Sequence, residues 1–266
     1  MVNPLAASSI SKLKIKEPEI KSITQPYASF GGKIKETDFE FYRRVSERLR
    51  HKERGIAIWD YERIVLQEFP EIYKVKCINH STFNFEDENG NLLDSEFAPG
   101  FVTLIVVPEL KNQNAVDPLQ PRASLNTLEN IKTFVSKKIS PFAAAKLKVI
   151  NPLFEKIQVE FYVEFISGFD RGFYEKQIVE DIIEFLSPWA FQEGKDIVFG
   201  GKIHRSVILN FLEERSYVDF VTDFKMNHII SETNIKYDVE EAVATTARSV
   251  LVSDKSHIVY ETSSCA

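Results

Sequence analysis

From Lys156 to Ile166 apolar and polar residues alternate. Ile157, Val159, Phe161, Val163 and Phe165 share one parity; Gln158, Glu160, Tyr162 and Glu164 share the other. Successive strand side chains point to opposite faces, so this period of two predicts a β-strand with one buried face and one wet face. Phe101–Val107 is almost continuously apolar and predicts a central strand. Shorter strands are predicted at Ile72–Ile78, Lys146–Ile150 and near Tyr217–Phe224.

Elsewhere the apolar positions recur at helical spacing. Thr37-Asp38-Phe39-Glu40 fits a capping box, followed by Phe41, Val45 and Leu49, with Tyr42 alongside. A second helix starts near Trp59-Asp60, carries Tyr61, Val65 and Phe69 on one face, and stops at Pro70. Three more are predicted. Ser124–Ile139 has Leu128, Ile131 and Val135 inward, and Phe173–Leu186 has Ile178, Ile182, Phe185 and Leu186 inward. Ile203–Glu214 packs Ile203, Val207, Ile208, Phe211 and Leu212. Pro141 and Pro188 follow the first two of these helices. Glu86–Gly90 ends in Asn-Gly and predicts a tight turn. Residues 109–123 read as a loop.

Together these elements predict an α+β fold of two tandem small α/β units, 36–150 and 151–230, with mixed or antiparallel sheets packed against helices. Residues 1–35 read as a linker or arm. Residues 231–266 read as a C-terminal arm with a late hairpin, SVLV and HIVY separated by Ser253–Ser256. A faint internal echo, IVLQEFPEIYKVK and VILNFLEERSYVDFV, pairs a helix with a valine-bearing strand twice.

Composition narrows the function. With 266 residues and 44% apolar content, the chain can build one large core or two small ones. Its formal net charge of -6 argues against a generally basic nucleic-acid binder. Two cysteines, Cys77 and Cys265, give no disulfide framework and fit a reducing compartment. No run reaches signal-peptide length or the ~20 apolar residues of a membrane span, so membrane insertion is not expected.

Catalytic motifs are sparse. There is no P-loop, G-x-G-x-x-G or G-x-S-x-G. Gly200-Gly201 precedes a helix and reads as a tight turn. No two histidines share a helix at i and i+4, and Cys77 and His80 point to opposite faces of a strand, so no metal or cofactor is expected. The pairs Glu213-Glu214 and Glu240-Glu241 diverge as helix neighbours; a carboxylate-dependent hydrolase would need distant residues brought together.

One charged feature stands out. Arg43, Arg44, Arg48, Arg50, Lys52 and Arg54 face only Glu47 and Glu53 in the same segment. Arg44, Arg48 and Lys52 form an i, i+4, i+8 stripe beside the apolar face. Three readings are open: a solvated helix face, a dock for an acidic protein, or a nucleic-acid-binding module. The last lacks interleaved aromatic platforms and any known module.

The order of residues carries a resemblance. ASFGGKIKETDFEFYRRVSERLRHKERGIAIWDYERIVLQEFPEIYKVKCINH is similar to the baseplate J-like family, wedge proteins of contractile phage tails and contractile injection systems. The matching residues are Glu40, Arg44, Val45, Leu49, Arg50, Arg54, Gly55, Asp60, Tyr61, Glu62, Pro70 and Val75. The similarity continues through TLIVVP and FGGKIHRSVILNFLEERSYVDFV, closer to the injection-system branch. It covers about residues 28–225, and such proteins carry further domains upstream, so this chain resembles their C-terminal part.

The resemblance implies a non-catalytic wedge component made and assembled in the cytoplasm, then carried in a phage-tail-like particle. The implied partners are other wedge subunits, a second J-like paralogue and a small sheath-initiating baseplate protein, with no small-molecule substrate. Wedge interfaces would hold one arrangement before firing and another after it. The arginine-rich helix becomes one candidate docking face. The polar side of the long strand, with Glu160, Tyr162 and Glu164, is a second.

Overall fold

The computed structural model describes residues 5–15, 17–29, 35–86, 92–109, 117–192 and 195–261. The architecture is α+β, as the pattern predicts. Contacts divide the chain into two compact units. Residues 1–82, 98–116 and 123–150 form the first; 83–97, 117–122 and 151–266 form the second. The described part of 5–29 has neither helix nor strand and folds back on itself through Ser8 N to Gln25 O (2.8 Å) and Ser29 N to Leu5 O (2.9 Å).

The first unit contains α1 (Asp38–His51), α2 (Ile58–Glu68), β1 (Ile72–Asn79), β4 (Val102–Pro108), α3 (Leu125–Ser136), α4 (Pro141–Ala145) and β5 (Leu147–Ile150). The capping box forms: Thr37 Oγ1 accepts from Glu40 N at 3.3 Å, and Glu40 Oε2 accepts from Thr37 N at 2.8 Å. The sheet order is β1-β4-β5, with β1 antiparallel and β5 parallel to β4. Thus the apolar Phe101–Val107 run is the central strand it was expected to be. Leu104 and Val106 join the core with Tyr61 and Val65 of α2 and Leu128, Ile131 and Val135 of α3. Pro141 does more than follow a helix: it opens α4 at the first turn, where its fixed φ suits the helix, and Ser140 caps it.

Within the second unit, β2 (Thr82–Glu86) and β3 (Leu92–Ser95) form a two-stranded sheet; all but Thr82 cluster there. Most of the predicted turn between them, and residues 110–116 of the predicted loop, lie outside the described residues. The main sheet is built on β6 (Leu153–Phe165). β8 (Val218–Ser231) runs antiparallel along one edge of it and pairs in turn with β9 (Asn234–Lys236). Helices α5 (Arg171–Leu186) and α6 (Arg205–Glu213) cover the apolar face. Ile157, Val159, Phe161, Val163 and Phe165 are all buried, as the alternation predicts, against Ile178, Ile182, Ile208 and Leu212. Val207 differs: α6 turns Ile208 and Leu212 inward and leaves Val207 half exposed. A short ladder pairs β7 (Lys202–His204) with β10 (Glu241–Val243).

The expected late hairpin does not form. β11 (Ser249–Ser253) and β12 (Ile258–Glu261) both run parallel to β6, pairing with Leu153–Ile157 and Glu160–Val163 in succession. The chain between them bulges rather than reverses. Asp254 N donates to Ile157 O at 2.9 Å, and His257 Nδ1 accepts from Val159 N at 3.1 Å. The His257 ring thus serves the β6 amide that the interrupted ladder leaves open.

Candidate functional site

The segment that carries the resemblance is used structurally in the first unit. Asp60 Oδ2 accepts from Ile56 N (3.1 Å) and Ala57 N (2.8 Å), closing the start of α2. Tyr61 is buried in the core, and burial pushes its phenol up. Glu62 Oε1 accepts from Cys77 N at 2.9 Å, satisfying an outward amide of edge strand β1. A methyl on Gly55 would meet Ile139 Cγ2 at 2.8 Å, and its N–H donates to Lys138 O at 3.0 Å. Cys77 itself is buried, its thiol pushed up to about 12 by burial and then by Glu62, so it is held as an inert thiol. Cys265 lies outside the described residues.

The six cations have divided roles. Arg44 grips Glu36 through Nε (2.8 Å) and Nη2 (3.0 Å), and Arg48 pairs with Glu53. Glu53 also accepts from Lys138 Nζ at 2.9 Å, and these hydrogen bonds, Lys138 first, lower its carboxyl below the usual range. Arg50 stacks over Trp59 at 4.3 Å from the ring centroid. Lys52 is the left-handed cap of α1, with φ 50°. Arg43, Lys52 and Arg54 are exposed and stand in no ion pair within 4 Å among the described residues, although Arg43, after the Thr37 hydrogen bonds, helps lower the Glu40 carboxyl.

Of the expected stripe, Arg44 and Arg48 are ion-paired within the chain and Lys52 is the helix cap. Arg44 and Arg48 line a cavity of about 150 Å³ with His51, Ile64, Gln67 and Phe134, on the inner side of α1. The apolar residues of α1 point the other way. Tyr42 and Leu49 are each 69% exposed, Phe41 45%, and Ile56 just beyond the helix 80%; the one buried residue of α1 is His51. An apolar arc at helical spacing ordinarily marks the buried face. Here the unit holds the polar side instead, through Arg63–Glu47 (3.7 Å) and His51–Gln67 (3.3 Å).

In the second unit, Glu160 pairs with Lys225 (3.6 Å), Glu164 with Arg171 (3.4 Å), and Tyr162 stacks on Tyr260 at 4.8 Å. These residues lie on the wet face of β6, but each has a partner in its own chain.

The pattern reading missed a buried polar network on the other face. Glu155 and His228 are both fully buried, with Nε2 to Oε2 at 2.7 Å. Thr245 N donates to Oε1 (3.0 Å) and Oε2 (3.2 Å), and the Thr245 hydroxyl donates to Oε1. Burial pulls the Glu155 carboxyl up, but hydrogen bonds from His228, Ser249 and Thr245 outweigh it and lower it to about 2. Parity was the signal: Glu155 falls on the same side of the strand as Ile157. Nearby, burial holds the His257 imidazole at about 4, Asp254 opposing, while Nε2 meets Ser253 Oγ at 2.8 Å. The network is a satisfied core, with Glu155 completely shielded from solvent. Among the described residues no cluster of His, Cys, Asp and Glu is placed to hold a metal, and no helix is long and apolar enough to cross a membrane.

Against this geometry the comparisons are specific. A family model described as baseplate protein PVC11-like matches residues 1–256. The chain belongs to the PVC11-like baseplate protein family. The match runs through both units of this PVC11-like chain, so the α1–α2 segment and the β6 sheet are parts of one family architecture. A solved chain from the anti-feeding prophage (AFP) baseplate, determined by cryo-EM with six-fold symmetry, is similar with a TM-score of 0.60 at 20% identity. That match covers 95% of this chain and 49% of the other, so this chain spans about half the length of that relative, and the likeness is one of fold. A comparison with curated proteins finds no match.

Proposed function

We propose that the chain is a structural, non-catalytic wedge component of the baseplate of a contractile injection system, related to the J-like wedge proteins. The observation that carries this reading is the baseplate family match over residues 1–256. The use of the resemblance residues supports it: Asp60, Tyr61 and Glu62 cap a helix, pack the core and tie down a sheet edge instead of converging on a cleft. Partners on this reading are other wedge subunits, a J-like paralogue and a small sheath-initiating protein. The chain assembles in the cytoplasm and then belongs to the particle, where its interfaces form part of a bistable ring.

The test is sedimentation of native lysate, with the chain followed by mass spectrometry. The reading expects it with very large particles that also contain sheath and tube proteins. Recovery only in the light soluble fraction, while sheath proteins sediment, contradicts it.

A further inference from the structure

The outward face of α1 is an amphipathic surface turned inside out. Phe41, Tyr42, Val45 and Leu49 fall on one arc of the helix, and no described residue buries Tyr42 or Leu49. A helix folding for its own unit alone would place Leu49 inward and Glu47 outward, yet Glu47 is the less exposed of the two. The contacts that seat α1 are polar and border a cavity, so the helix gains little from its own unit.

The arc has a charged border. At 100° per residue, Arg48 lies beside its Phe41 edge, Arg43 and Arg50 lie about 80–100° beyond its Tyr42 edge past Ser46, Asp38 falls on the arc at its N-terminal end, and Lys52 and Arg54 stand at its C-terminal end. Arg43, Lys52 and Arg54 have no ion pair among the described residues. A second copy of this face would set like charges against each other. We propose that this face docks an amphipathic helix of another baseplate protein, whose apolar ridge is flanked by Asp and Glu. The apolar arc supplies the burial and the cationic border selects the partner and its register. The inference rests on the baseplate reading and moves the contact from the arginine stripe itself to the apolar arc that the cations frame.

Photocrosslinking in the assembled particle tests it. The full chain carries p-benzoylphenylalanine at Leu49, an exposed position, and purified particles are irradiated and digested for mass spectrometry. The expected product joins Leu49's position to a different chain, at a segment with apolar residues at helical spacing and flanking carboxylates. Reversal of Arg43, Lys52 and Arg54 to Glu lowers its yield at least about fivefold. Crosslinks to a second copy, to this chain's own residues, or to a neutral or basic segment overturn the proposal. So does incorporation of the chain without any crosslink. Absence of the unsubstituted chain from the particles overturns the baseplate reading and this inference with it, whereas its presence without the expected crosslink overturns this inference alone, so the two failures are distinguishable.

Discussion

Glu155 occupies a core-facing position of β6, and its carboxylate is worth keeping there only because every lone pair is served. Breaking such a pair leaves a buried polar group unmatched, which costs several kcal/mol. Glu155→Ala is expected to destabilise the second unit by about 3 kcal/mol, measured by urea denaturation. Glu160→Ala, on the wet face of the same strand, should stay within about 0.5 kcal/mol. The pH dependence has a definite sign. An unfolded histidine takes a proton near its ordinary 6.5, whereas folded His257 resists until about 4. The unfolded state therefore binds more protons, and stability falls as pH drops through that window. Glu155 continues the trend: its ordinary 4.5 becomes about 2 in the fold, so its contribution, complete above 4.5, is lost as pH falls towards 2. Thermal midpoints across this range should decline steadily, and His257→Gln should flatten the first part of the descent; an unchanged slope contradicts the assignment. Cys77 should resist iodoacetamide in the native chain and react on unfolding, read by peptide mass.

At the scale of elements, helices α1 and α5 make a test pair. α5 buries Ile178, Ile182 and Leu186 against the sheet, whereas α1 buries only His51. Hydrogen exchange of the isolated chain should therefore be fast along α1 and slow along α5. Equal protection of the two would mean that α1 is held by more than its polar contacts. The same contrast explains what was legible in the sequence. Where an element buries its apolar side, the period named both element and face, as in β6, α3 and α5. The capping box at Thr37 was legible because it is a local interaction. For α1 the period named the helix but not the exposure of its apolar side, because periodicity reports amphipathicity and not which side the chain itself covers. Likewise β11 and β12 were legible as strands, while their parallel pairing joins them to β6, a partner nearly a hundred residues away that local pattern does not reveal. The Glu155 network was hidden because its partners come from β8 and the segment after β10, far apart in sequence.

The whole molecule combines two compact units under one family match, with short stretches of the first half, 83–97 and 117–122, clustering into the second unit. Emptying the Phe161 site tests how far the second unit depends on its core: Phe161→Ala removes a fully buried ring stacked on Phe224 and should cost about 3–5 kcal/mol by denaturant titration. The central claim is that this chain is a component of the baseplate. The most direct measurement is electron microscopy of intact particles bearing a gold-labelled epitope on this chain. The account predicts gold at one end of the particle, at the baseplate. Gold spread along the sheath, or particles with intact baseplates and no gold while the tagged chain is expressed, would contradict it.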